Sequence, residues 1–220
     1  MIVTIDGPAG AGKSTAAREL ARRIGFDYLD TGAMYRAVTW LVLQSGISPN
    51  DERAVGQVAE QIELEFVGET VRVNGRNVTR EIRSDPVNQN ISIISDNRRV
   101  REELVRRQQA IAAHGNYVCE GRDQGTVAFP NAPCKIFLTA TPEARARRRC
   151  DELARRDEPA DYAAILRQQT ERDQRDKSRP YGALVKAPDA EELVTDDLTL
   201  EQVVEKLTEI VSAKLGLPLT

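Results

Sequence analysis

The 220-residue chain contains one histidine, one tryptophan, two methionines and three cysteines. A lone histidine, His114, cannot build a histidine-rich metal site, and the loop-like "HGN" around it reads as solvent-exposed. Cys119, Cys134 and Cys150 are odd in number and fall in no metal-binding spacing. A disulfide framework is therefore not expected, and a reducing cytoplasm is. No apolar run approaches the ~20 residues needed to span a bilayer, so no membrane partner is expected. "MIVTIDG" reads as a strand and not as the charged and apolar regions of a secretory signal, so no secretory signal is expected. No long apolar helix offers an interface, which makes a monomer the expectation. Net charge is −3, whereas a general nucleic-acid binder is basic overall. Lysine is scarce as well. Of the 31 basic residues 25 are arginine, whose planar fork suits phosphate and carboxylate.

Five short apolar runs read as buried parallel strands: 2–6, 26–30, 117–121, 135–140 and 192–196. Amphipathic helical segments separate or follow them, at 13–24, 33–44, 98–113, 142–156, 162–176 and 200–215. This alternation predicts an α/β fold, a doubly wound five-stranded parallel sheet. Residues 62–79 break the rhythm. "IELEF" and "TVRV" alternate apolar with polar, and Asn74-Gly75 favours a tight hairpin turn. We expect a small antiparallel β lobe inserted in the α/β order. Residues 48–52 and 157–161 read as loops.

"GPAGAGKST" follows the first strand and opens a helix, in the pattern G-x-x-x-x-G-K-[ST]. The segment Gly7, Pro8, Ala9, Gly10, Ala11, Gly12, Lys13, Ser14 and Thr15 is thus expected to bind a nucleoside triphosphate. Its glycines let backbone N–H groups turn around a phosphate, and the helix N-terminus adds a positive field. Lys13 is expected to reach the terminal phosphates and Ser14 to ligate Mg²⁺. A regulatory GTPase would carry [NT]KxD and a transporter ATPase LSGGQ, and neither is present. A kinase with a second, anionic substrate fits better.

"DTGAMYRA" (30–37) and "EGRDQGT" (120–126) each place an arginine, Arg36 and Arg122, after a parallel strand, at the edge where open α/β sheets bind ligands. With "IDGPAGAGKST", "EGRDQGTVAFPNAP" and "RDQRDKSRP", in this order and spacing, the chain resembles the bacterial cytidylate kinases over essentially its whole length. Thr31 and Glu120 stand where some relatives carry Ser and Asp. The resemblance implies transfer of the ATP γ-phosphoryl to CMP or dCMP by a single kinase domain. Within it, residues 31–100 would be the monophosphate-binding insertion and 143–160 a helical lid. Arg36, Arg122 and Arg179 would hold the acceptor phosphate, Arg172 and Asp176 the sugar, and Ser92, Arg101 and Asp123 the cytosine. Tyr35 would line the same pocket. Ser95, Arg98 and Arg99 are close rivals of Ser92 and Arg101.

The chemistry agrees with this. A phosphate monoester is mostly dianionic at neutral pH, its second pKa being near 6, so no general base is required. A carboxylate and an arginine suit cytosine's donor and acceptors. An alcohol-phosphorylating kinase would want a carboxylate base, and Asp30 keeps a shikimate-like acceptor in view as an alternative. UMP and AMP are two further alternatives, and a nucleotide-binding regulator is another. The segment 142–159 carries Arg145, Arg147, Arg148, Arg149, Arg155 and Arg156. Arg148 or Arg149 is expected to contact the transferred phosphoryl. In "ERDQRDKSRP", Arg172, Asp176 and Arg179 fall at i, i+4 and i+7 on one helix face. Asp173 and Lys177 are expected to pair on the solvent side, and Arg175 has no assigned role.

Overall fold

The computed structural model describes residues 1–218. Element order is β1 (Ile2–Asp6), α1 (Lys13–Ile24), β2 (Asp27–Asp30), α2 (Thr31–Gln44), α3 (Glu52–Gln61), β3 (Leu64–Val67), β4 (Thr70–Val73) and β5 (Arg76–Asn77). There follow α4 (Asp85–Asp96), α5 (Arg98–Ala112), β6 (Tyr117–Gly121), β7 (Cys134–Thr139), α6 (Pro142–Ala154), α7 (Tyr162–Ser178), β8 (Glu191–Val194) and α8 (Leu200–Leu215). Five strands form a parallel sheet in the order β2-β6-β1-β7-β8. β1 is central, and Asp6 lies level with Gly121 on one side and Phe137 on the other. The first crossover leaves β1 toward β2 and β6, while β7 and β8 lie on the other flank. In open sheets, the carboxyl ends of strands at such a switch point receive ligands.

The chain divides into two compact units, Met1–Leu29 with Ala112 onward, and Asp30–Ile111. In the first, Ala16, Ala17, Leu20 and Ala21 of α1 and Val203, Leu207 and Val211 of α8 form one core with the strand residues Val3, Ile5, Ile136 and Leu138. The apolar positions of both helices recur at the three- and four-residue steps that put one face on a sheet. In the second unit, Met34, Val38 and Trp40 of α2 gather with Val55, Ile82, Ile91, Ile94 and Leu104.

The antiparallel sheet β3-β4-β5 stands as expected, with Asn74 at φ 49° and Gly75 at φ 77° making the two-residue turn between β4 and β5. Both central residues with positive φ match the twist of the flanking strands. Two helices of this unit were not expected. α3 opens on Asp51, whose side chain accepts from the Ala54 amide, and α4 has a proline in its first turn. Val87, Ile91 and Ile94 of α4 are buried at helical spacing, a signal masked by the strand-like "ISIIS". After β6, the chain makes a π-helical turn, Gln124–Ala128.

Candidate active site

The phosphate loop connects β1 to α1, and Gly7, Gly10 and Gly12 all hold positive φ. A Cβ at Gly7 would lie 1.9 Å from the Leu138 carbonyl oxygen, so no side chain fits there. α1 begins after Gly12 with no side-chain cap, which leaves its first-turn amides for an anion. Lys13 is buried and donates to the Pro8 carbonyl at 2.8 Å. Burial, then the charge of Arg122, holds its ammonium well below the ordinary lysine range, and Glu120 and Asp6 offset this only in part.

Ser14 Oγ donates to Glu120 Oε1 at 2.7 Å. A hydroxyl and a carboxylate at the head of a helix are hard oxygen donors of the kind a small divalent cation takes, together with phosphate oxygens and water. Among the described residues no group of three or more His, Cys, Asp or Glu stands together as a metal site of its own.

One register position away, Asp6 accepts the backbone N–H groups of Gln124 (2.8 Å) and Gly125 (2.7 Å). Burial raises its carboxyl to about 7 against the pull of these two bonds. The end of β1 thereby fixes the π-turn that follows Asp123. A π-turn of this kind frequently marks a functional site. A Cβ at Gly125 would sit 3.0 Å from Thr4 Oγ1 and 3.4 Å from Asp6 Oδ2, so a side chain there would crowd the approach. Sequence reasoning passed over Asp6, because its partners lie 118 and 119 positions away.

Asp176 of α7 is buried and joins two guanidiniums: Arg122 Nε at 3.0 Å and Arg179 Nη2 at 2.7 Å. Burial alone would raise its carboxyl, but the charges of Arg122, Arg179 and Arg172 outweigh burial and hold it below the usual value. Arg122, Arg172, Asp176 and Arg179 are thus one electrostatic cluster, and Arg122 and Arg172 also depress Lys13. Arg179 joins the cluster from outside the helix, through Asp176. α7 stops at Ser178 and Arg179 is its extended C-cap, so the helical spacing expected to reach it does not extend that far. The expected pair Asp173–Lys177 is corrected too. Asp173 is buried and its Oδ2 takes Arg145 Nη2 at 2.5 Å.

The arginines of α6 differ sharply. Arg145 is wholly buried. Arg148 Nη1 donates to Thr195 Oγ1 at 3.1 Å and Nη2 to the Thr195 carbonyl, while Arg149 pairs with Glu152 at 2.7 Å and is half exposed.

In the second unit, the Arg101 guanidinium lies 5.4 Å from the centroid of the Tyr35 ring and Nη1 donates to the Ser95 carbonyl at 3.0 Å. Arg101 is buried, whereas its rivals are surface residues: Arg98 pairs with Glu102 and Arg99 with Glu60. Ser92 is half-buried on α4. Arg36 donates to Asn88 Oδ1 at 2.6 Å and to the Ile82 carbonyl at 3.3 Å. Asp30 caps α2 by accepting from the Ala33 amide, and its other oxygen takes Arg83 at 3.3 Å.

A family model described as cytidylate kinase matches residues 3–213. The chain belongs to the cytidylate kinase family. It is 44% identical over 211 residues to the cytidylate kinase of Rhodopirellula baltica, covering 96% of this chain and 92% of that protein. It is 47% identical over 215 residues to the bifunctional pantoate ligase/cytidylate kinase of Prochlorococcus marinus strain MIT 9313. That match takes 95% of this chain, which spans only 43% of the bifunctional relative's length. A solved structure of an uncharacterized protein from Eubacterium ventriosum shares the fold at TM-score 0.51 and 12% identity, over 97% of this chain and 99% of that one. Kinases of this family carry out ATP-dependent phosphoryl transfer, which in general needs a divalent metal. Among the described residues no helix is long and apolar enough to cross a membrane.

Proposed function

We propose that this chain transfers the γ-phosphoryl of ATP to CMP or dCMP, giving ADP and CDP or dCDP. The observation that carries this reading is Asp176 holding Arg122 and Arg179. It lies in the same unit as the phosphate loop, in a chain that matches the cytidylate kinase model almost end to end. The loop segment from Gly7 to Thr15 takes the ATP phosphates. Their negative charge favours the ammonium form of Lys13, which burial disfavours in the empty loop, so the buried amine gains counter-ion character as the donor binds. Ser14, with Glu120 beside it, would hold Mg²⁺ brought by ATP. The ion would neutralise charge on the β- and γ-phosphates.

On the acceptor side, Arg36, Arg122 and Arg179 take the phosphate, Arg172 and Asp176 the sugar, and Ser92, Arg101 and Asp123 the cytosine, with Tyr35 beside them. The buried Arg101 over the Tyr35 ring supports that choice over Arg98 and Arg99. Arg148 or Arg149 meets the transferred phosphoryl. No side chain is needed to take a proton from the acceptor, which is already deprotonated near neutral pH. Positioning and charge neutralisation supply most of the rate. An alcohol acceptor is disfavoured, since both oxygens of its candidate base, Asp30, are engaged. We place the protein in the cytoplasm as a monomer. Three free cysteines support the reducing compartment.

ADP release from ATP and Mg²⁺ is to be measured with CMP, dCMP, UMP, AMP and shikimate in parallel. CMP and dCMP are expected to give the highest kcat/KM. Turnover with shikimate but not CMP would overturn the reading, and turnover with none would favour a nucleotide-binding regulator.

A further inference from the structure

Arg145 lies in the first turn of α6 yet has almost no solvent exposure, 2%. Its guanidinium meets three segments at once. Nε donates to the Ala140 carbonyl at the end of β7 (3.0 Å), Nη1 to the Ala9 carbonyl in the phosphate loop (2.8 Å) and Nη2 to Asp173 Oδ2 on α7 (2.5 Å). Gly10 lies against the stem of the same side chain: a Cβ there would sit 3.5 Å from Arg145 Cβ and 3.2 Å from Gln169 Nε2. No other arginine of α6 touches the loop among the bonds described.

The consequence follows from peptide geometry. The bond between Ala9 and Gly10 is trans, so its carbonyl and the next N–H point in opposite directions within one plane. Holding the Ala9 oxygen toward Arg145 aims the Gly10 N–H away from it. Lys13 acts on the neighbouring plane in the same way, through the Pro8 carbonyl. A glycine at φ 77° has no side chain to resist rotation, so an external bond is needed to fix the plane.

We infer that Arg145, held by Asp173, is a positioning residue that orients the Gly10 amide as a hydrogen-bond donor to the ATP phosphates. The inference rests on the proposed ATP site and extends it to Arg145, whose described hydrogen bonds all go to protein groups. Asp173 supplies the anchor. Its other oxygen, Oδ1, is buried without a hydrogen-bond partner among the described residues, so the bond from Arg145 is what compensates the buried carboxylate. The pair also links donor and acceptor sides, because Asp173 precedes Asp176 by one helical turn.

The test uses the full chain with two variants, Asp173→Asn and the double variant Arg145→Met with Asp173→Asn. The double variant removes both charges and so leaves neither one buried alone. Thermal melting establishes that each is folded. ATP binding is measured by calorimetry without acceptor, CMP binding separately, and the Gly10 amide proton by NMR. In the wild type, ATP is expected to shift that proton downfield. In the double variant we expect the shift to fall by more than about half and the ATP Kd to rise about tenfold, with the CMP Kd within about twofold. Asp173→Asn alone should fall between, since the bond to Ala9 survives. An unchanged Gly10 shift with an ATP Kd within about twofold of wild type, in a folded double variant, would overturn the inference. A wild type that binds ATP but turns over no acceptor would instead count against the proposed kinase function and leave this test intact.

Discussion

Asp176 carries two arginines on one carboxylate, so each is tied to the fold as well as to the acceptor phosphate proposed for it. Removing Arg179 leaves a buried carboxylate with Arg122 still bound, and the cluster keeps its shape while losing one charge-assisted donor. Such a donor contributes about 1.5–3 kcal/mol, roughly ten- to a hundredfold in affinity. Arg179→Ala is therefore expected to raise the KM for CMP at least about tenfold and that for ATP less than about threefold. Equal effects on both substrates would remove Arg179 from the acceptor site. Lys13 gives a second outcome at this scale. Its ammonium is disfavoured in the empty loop and restored by phosphate, so above neutral pH binding takes up a proton. ATP affinity then falls as pH rises beyond the depressed value in the free protein. Calorimetry at pH 8 in buffers of unequal ionisation heat should show this uptake. Binding heats independent of the buffer would show that Lys13 is charged before the nucleotide arrives.

At the scale of elements, α6 divides its work. Arg145 anchors the helix to the phosphate loop and α7, whereas Arg148 holds Thr195 just after β8. Arg149 reaches only Glu152 among the ion pairs described. An arginine that meets the migrating phosphoryl must exchange such partners for it, and it stabilises the transition state more than the ground state. Arg148→Ala and Arg149→Ala are expected to separate. In one of them kcat should drop by more than about tenfold with little change in either KM. If kcat stays within about threefold in both, neither arginine has that role. The π-turn after β6 is the other element with a specific task. Asp6 holds two of its amides, which joins the strand leading into the phosphate loop to the strand end bearing Arg122 and Asp123.

The whole molecule has two cores, one under α1 and α8 and one around α2 and α4. Each unit therefore has its own buried apolar surface, and ligands act on the unit that binds them. ATP at about a hundred times its Kd stabilises the binding state by about 2.7 kcal/mol. Hydrogen exchange with ATP alone should show slower exchange in β1, α1 and β6. No protection there would contradict triphosphate binding at the loop.

Much of this was legible in the residue order, and the reasons are local. β1 and α1 appear at the expected residues because an apolar run and a 3.6-residue period are properties of neighbours. The turn at Asn74-Gly75 was readable because only a few residue types adopt positive φ. α3 and α4 escaped because they are short, 10 and 12 residues, and α4 carries the strand-like run at 91–95; their apolar positions recur at helical spacing and are buried in the core of the second unit. The partner of Asp173 escaped for a related reason. A residue four positions on was a plausible mate, yet packing brought Arg145, 28 positions back, to it. Sequence alone determined the phosphate loop, the parallel strands and the residue types needed for a nucleotide kinase, since these follow from patterns a few residues long. Only tertiary structure decided that Asp6 fixes the π-turn and Arg145 the loop at Ala9, contacts spanning 118 and 136 positions. Burial makes an unpaired charge costly, and which partner relieves that cost depends on which segments the fold brings together.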